Sequence, residues 1–427
     1  MTITDTSISA AAQVPGVRPD AAAPSMRPFE GIKVADFSWV GVGPITARHL
    51  ADFGATVVRV ETSTRPDTLR LAPPFRDGQP GLDRSAFGAV YNSNKLGLAL
   101  NLRIPRAREI ALRLVQWADI VADSMTPGSL ARYGLDYESL RVVKPEIVMY
   151  STTQMGQTGP YRSFGGYGQH GAATAGFHAL TGWPDRPPAG IFGAYTDFLA
   201  PWFLLTGLIA ALEYRDRTGV GQYVDQSQVE AGIQLLGPQF LDFFANGHEL
   251  TRAGNDDAEM FPHAAFPCTG SDCWVAIAAR DDADWAALCR AIGREAWATD
   301  PALMGHDRRR KRATEIETVI AEWTGSRSPR EAMAELQAVG VPAGAVQTCE
   351  ELFSDPQLDH RGHWWTLDHA VIGPHAYDAP VWKLSRTPAE GRRPGPALGQ
   401  HTDEVCRDVL GLSDEEIADL TADGVFE

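Results

Sequence analysis

The sequence predicts an α/β protein built on a doubly wound parallel sheet, with a smaller second domain. Two observations carry this. Short runs of β-formers alternate with helical patterns from residue 32 to about 153, and the texture changes sharply near residues 155 and 251. Strand, helix, strand is a unit that requires parallel pairing and a right-handed crossover.

In chain order, "IKVADF" (32–37) reads as a strand, "GPITARHLADFGA" as a helix with Ile45, Leu50 and Phe53 near one face, and "TVVRVE" (56–61) as the next strand. "AREIALRLVQWA" and "LARYGLDYESLRVV" read as helices, each followed by a strand, "DIVADS" and "EIVMYST". Residues 155–196 are rich in Gly, Pro and aromatics, the texture of a functional loop region. A helix then follows Asp197 to about Arg215, and 223–247 reads as a strand leading into one long helix. "WVAIAA" and helices around 282–293, 312–325 and 329–339 form the second domain, and the end of the chain is amphipathic helix. The expected division is a flexible tail over 1–28, a large domain over 29–250, a small domain over 251–342 and a C-terminal segment over 343–427.

A net charge of -16 argues against a nucleic-acid or membrane surface, which would favour a basic face. Five irregularly spaced cysteines give neither a disulfide framework nor a zinc knuckle and fit a reducing cytoplasm. His360 and His363 in "HRGH" lack any helical HExxH, so no metal is expected. The first residues lack the basic and apolar regions of a secretory signal. The longest apolar run, 198–212, contains Pro201 and Gly207 and is too short to span a bilayer, which takes about 20 residues.

The first strand-to-helix turn imitates a dinucleotide fingerprint. Gly41 and Gly43 fit, and Glu61 ends the second strand twenty residues after Gly41. The third small position is Thr46, however, and Pro44 follows the second glycine, which weighs against a nicotinamide site. A lone acid attracts more interest. Asp197 stands in "GAYTDFLAPW" before an apolar run with no charge until Glu213. It reads as a helix N-cap, as a working carboxylate, or as both.

Nine stretches in order resemble the class III CoA-transferases, among them "FEGIKVADFSWVGVGP", "GATVVRVETSTRPDTLR", "YNSNKLGLALNL", "PGSLARYGL" and "LEYRDRTGVGQYVDQSQVEA". Together they span about residues 29–420. The resemblance implies a Rossmann-like large domain built from both ends of the chain, an inserted small domain and an interlocked dimer. It implies a CoA-transferase acting through an aspartate that becomes in turn a mixed anhydride and a CoA thioester, and the matching position is Asp197. Such a nucleophile must be ionised, which an adjacent helix N-terminus favours. Glycine-rich backbone near 165–168 would supply oxyanion donors.

The family also holds α-methylacyl-CoA racemases, which carry a histidine thirty residues before the aspartate. Here that position is Tyr167, as in the formyl-CoA transferase branch, and His170 lies three residues on. For CoA, the resemblance points to Arg132, then Arg70 and Lys95, with a backbone contact at Val40. It implies acyl-CoA and carboxylic acids as substrates and no resident cofactor. Some members pair two related subunits, so a heteromer stands beside the homodimer. The formyl-CoA branch has Gln at Gly41, Arg at Thr62, Asn at Ser124 and Lys at Gly165, and these departures point away from formate and oxalate toward a larger or more apolar acid.

Overall fold

Six short runs with apolar residues at most inward positions become the strands of one parallel sheet. They are β1 (Lys33–Asp36), β2 (Thr56–Glu61), β3 (Leu96–Ala99), β4 (Ile120–Asp123), β5 (Val148–Thr153) and β6 (Tyr223–Ser227), in spatial order β3-β2-β1-β4-β5-β6. The inner strands are buried nearly throughout, as expected of a sheet covered on both faces. This computed structural model describes residues 26–427; most of the expected N-terminal tail lies outside the described residues.

Both faces are packed by helices whose apolar spacing follows the helical period. On one, the helix Pro105–Trp117 buries Ala107, Ile110, Ala111, Leu114 and Val115 against β1–β4. Val405, Cys406, Leu420 and Val425 from the end of the chain complete that core. On the other face, the helix Val42–Asp52 is buried along its whole length, and the long helix Tyr195–Thr218 contributes Leu199, Leu204 and Leu208. By length and composition this long helix would pass as a membrane span, yet 56% of its apolar window is buried within the protein, the condition of a core helix.

The chain divides into two units. One comprises the chain up to Phe177 with Gly190–His248 and Pro356–Glu427, and it includes the antiparallel hairpin β10 (Trp364–His369) and β11 (Gly373–Asp378). The other takes His178–Ala189 and Glu249–Asp355, more than the 251–342 read from sequence. Its antiparallel strands β7 (His263–Pro267), β8 (Trp274–Ala278) and β9 (Ala343–Ala345) pack with three helices, Asp282–Ala291, Ala313–Thr324 and Pro329–Ala338, around the fully buried Trp285.

Two expected helices are interrupted. The stretch at 130–143 is a 3₁₀ turn, a glycine in the left-handed region (Gly134, φ 64°) and then the helix Tyr137–Val143, capped by Asp136. The long helix expected after β6 is two, Gln228–Gln234 and Gly237–Asn246, because Pro238 starts a new first turn and cannot continue the old one.

Candidate active site

Strand order reverses between β1 and β4, and a crevice opens there beyond the C-terminal ends of the strands. Trp39, Val40 and Gly41 after β1, Ser124, Thr126 and Pro127 after β4, and Gln154 after β5 line it. Arg162, Phe164, Gly165, Gly166, Tyr167, Asp197 and Gln228 also line it. Hence Asp197, Tyr167 and Val40, far apart in sequence, share one cleft.

The β1 loop is held rigidly. Trp39 N–H donates to Ser124 Oγ (2.7 Å), and that hydroxyl donates back to Trp39 O (2.7 Å). Val40 has φ 64°, a genuine outlier for a β-branched residue, and such strain persists only where the surroundings enforce it. The enforcing group is Asp67, whose buried carboxylate accepts the Val40 N–H (3.1 Å) and pairs with Arg59.

Asp197 lies in the first turn of the long helix and is not its cap. Ala194 holds the cap position and offers no side-chain bond. The N-cap reading is thereby corrected, though the carboxylate does sit at a helix start, as expected. Two further helices begin beside it. The Gly168 N–H, at the start of Gly168–Thr174, bonds to the carboxylate. Gly41, the N-cap of Val42–Asp52, packs so closely that a Cβ there would lie 2.9 Å from Asp197 Cβ, Cγ and Oδ2. Three helix starts favour negative charge. Burial opposes them: Asp197 is only 7% exposed, and desolvation, partly offset by the Gly168 N–H, pushes its carboxyl up to about 7. Burial thus acts against the helix starts that the sequence reading invoked to favour the ionised carboxylate.

Tyr167 caps the helix Gly168–Thr174 and stands 58% exposed in the cleft wall. A Cβ at Gly168 would come within 2.6 Å of Ala194 Cβ, so glycine is what lets the two helix starts meet. His170 is outside the cleft wall. Its Nδ1 accepts the Tyr167 N–H (3.2 Å), which commits the ring to capping.

The expected CoA cations separate into two groups. Lys95 is fully buried, with its ammonium donating to Asp36 (2.8 Å), Pro44 O (2.9 Å) and Asn92 (2.9 Å). Arg70 is 4% exposed and donates to both Glu61 oxygens (2.8 and 2.6 Å), Asp83 (2.7 Å) and Pro396 O (3.0 Å). Neither lines the cleft, and both sets of donors are committed inside the protein, so the expectation that they meet CoA phosphates is corrected to a scaffolding role. Glu61, the ribose-binding acid of the imitation fingerprint, is likewise engaged by Arg59 and Arg70 and is held down to about 2 despite its burial. Arg132, by contrast, is exposed, with one bond to Ser129 Oγ (3.2 Å), in the loop after β4.

Sequence reading missed two cations at the cleft. Arg65 lies over the Trp39 ring, 5.3 Å from its centroid. Arg162 lines the cleft itself. The signal for Arg162 is its place in the Gly- and aromatic-rich segment of 155–196.

The model of CoA-transferase family III matches residues 29–402. The chain belongs to CoA-transferase family III. It is 34% identical over 400 residues to succinyl-CoA–D-citramalate CoA-transferase of Chloroflexus aurantiacus, covering 94% of this chain and 98% of that one. It is 32% identical to succinate–glutarate CoA-transferase of Agrobacterium fabrum, covering 88% and 94%. Among solved structures, a CaiB/BaiF family protein from Brucella suis matches with TM-score 0.82 and 29% identity, over 90% of this chain and 100% of that one. As a family III transferase, the chain is an enzyme that handles CoA thioesters.

Proposed function

We propose that this enzyme moves CoA from an acyl-CoA to a free carboxylic acid through covalent intermediates on Asp197. The observation that carries this is the carboxylate itself: 7% exposed, at the junction of three helix starts, in the cleft at the sheet's switch point. A carboxylate Oδ attacks the donor thioester carbonyl, the C–S bond breaks, and CoA departs as thiolate, leaving a mixed anhydride. The thiolate then attacks Asp197 Cγ and expels the donor acid, giving an aspartyl-CoA thioester. The acceptor carboxylate attacks the same Cγ and releases the thiolate, which takes the acceptor's acyl group and frees Asp197. No redox change and no resident cofactor are needed.

Each developing oxyanion calls for N–H donors, and the backbone of Gly165 and Gly166 borders the cleft. Val40 and Arg132 are the assigned CoA contacts, the first in the cleft wall and the second an exposed cation after β4. The named relatives act on succinyl-CoA with citramalate and on succinate with glutarate, which supports dicarboxylic acids as the proposed substrate class. A racemase needs a second acid/base group facing the α-carbon. With Tyr167 in the wall, His170 outside it and its Nδ1 accepting the Tyr167 N–H, this arrangement favours transfer over racemisation.

A homodimer accompanies this reading. The helix Gly237–Asn246 buries none of its residues and exposes Phe240, Leu241, Phe243 and Phe244 (89% for the last). An apolar face of that kind marks a protein partner, and light scattering should read twice 46.3 kDa. The five unpaired cysteines suit a cytoplasmic setting.

The test is covalent trapping. Incubation with succinyl-CoA, then hydroxylamine or borohydride, should modify one peptide, at Asp197. No adduct with any acyl-CoA, together with α-proton exchange into solvent, would replace transfer by racemisation.

A further inference from the structure

We propose that Arg162 holds the second carboxylate of a dicarboxylic acyl group or acceptor acid, and so sets the enzyme's preference for diacids over monoacids. This rests on the transferase reading of Asp197. Among the described residues, Asp197 and Arg162 are the only charged side chains lining the cleft; the remaining wall is aromatic, aliphatic, glycine, hydroxyl or amide. One acid that reacts and one cation that does not is the arrangement a diacid requires, with one end in chemistry and the other neutralised.

Arg162 is free for this role. No salt bridge or side-chain hydrogen bond engages its guanidinium among the described residues, whereas Arg59, Arg70 and Lys95 are bound to internal carboxylates. Its backbone, however, is anchored. Both oxygens of Asp225 accept the Gln157 N–H (3.0 and 3.1 Å), Arg162 N–H donates to Gly159 O (3.4 Å), and Phe164 N–H to Tyr161 O (2.8 Å). The loop therefore presents the guanidinium from a fixed base. A guanidinium suits the task because its planar fork pairs with a carboxylate through two parallel N–H···O bonds.

The experiment compares Arg162→Ala and Arg162→Lys with the unmodified enzyme, using one succinyl-CoA donor. Glutarate and adipate serve as diacid acceptors, and valerate and hexanoate as monoacids of matched length. Expected for the unmodified enzyme is at least a tenfold preference in kcat/KM for diacids. Arg162→Ala should lose at least tenfold on diacids and less than threefold on monoacids, with the loss in acceptor KM, and Arg162→Lys should recover part of it. Butyryl-CoA as donor separates acyl recognition from CoA binding, since its KM should move little. Equal losses on diacids and monoacids, a parallel rise in the butyryl-CoA KM, or no loss at all would each overturn the proposal and leave the transferase intact. Absence of transfer and of an Asp197 adduct in the unmodified enzyme would instead remove the reading beneath it.

Discussion

Gly41 and Asp197 are in van der Waals register: a Cβ on Gly41 would fall 2.9 Å from three atoms of the Asp197 side chain. The formyl-CoA branch carries Gln at this position, and here the absence of any side chain is what seats the carboxylate. In Gly41→Ala the carboxylate must move, and displacing a reacting group by about 1 Å costs on the order of 10²-fold in rate. We expect kcat to fall at least tenfold, because the group displaced is the carboxylate proposed to react. Steady-state kinetics with succinyl-CoA decide it, and an unchanged kcat would mean the carboxylate does not work from this seat.

The pH dependence follows from the same carboxyl. Only the ionised form attacks, and burial places its titration at about 7 in the free enzyme. The profile of kcat/KM should therefore climb tenfold per pH unit below about 6 and level off above about 8. An ordinary exposed aspartate would give a plateau already at pH 5, so a flat profile from 5 to 9 would contradict this environment.

The stability of the protein should carry the opposite sign. Asp197 has its carboxyl raised from 3.8 unfolded to about 7 folded, so the folded state prefers the protonated form. Its contribution is fully present below about pH 4, is lost as pH rises from 4 to 7, and stays constant above that. At about 1.4 kcal/mol per pKa unit the loss is at most about 4 kcal/mol. Asp197→Asn should then unfold at higher denaturant than the unmodified protein at pH 8, by about 1–4 kcal/mol, with the two converging near pH 4. Urea titrations at the two pH values measure it, and a pH-independent difference would contradict the assignment.

How far the sequence reached is clearest in particular residues. Asp197 stands out as a lone acid beside an uncharged run, but its role comes only from the resemblance to the class III CoA-transferases; the sheet is legible because β-branched runs alternate with a helical period. The helices Tyr137–Val143 and Gly237–Asn246 were misjudged because a single Gly134 or Pro238 overrules an otherwise continuous pattern. Lys95 and Arg70 were misjudged for another reason. A sequence displays a charge but not its partner, and Asp36 and Glu61 meet them only once β1, β2 and β3 are side by side. The three helix starts around Asp197 were invisible likewise, because they converge through contacts at Gly41 and Gly168 that no periodicity encodes.

The two classes of cation make separable predictions. Lys95 sits at 0% exposure, paired with the equally buried Asp36, in a cluster that also holds Arg59, Glu61 and Arg70. Removing one partner of such a pair leaves an uncompensated buried charge and costs about 3–5 kcal/mol. Lys95→Met should accordingly lower stability by that order, and Arg70→Ala should do the same. Whatever protein still folds should keep the acyl-CoA KM within about twofold. Arg132 is solvent-exposed, and its substitution by Ala should leave stability within about 0.5 kcal/mol while raising the acyl-CoA KM several-fold, through the lost phosphate contact. Thermal unfolding and saturation kinetics on the three variants separate the cases. A selective rise in KM for Lys95→Met, or none for Arg132→Ala, would reverse the assignment.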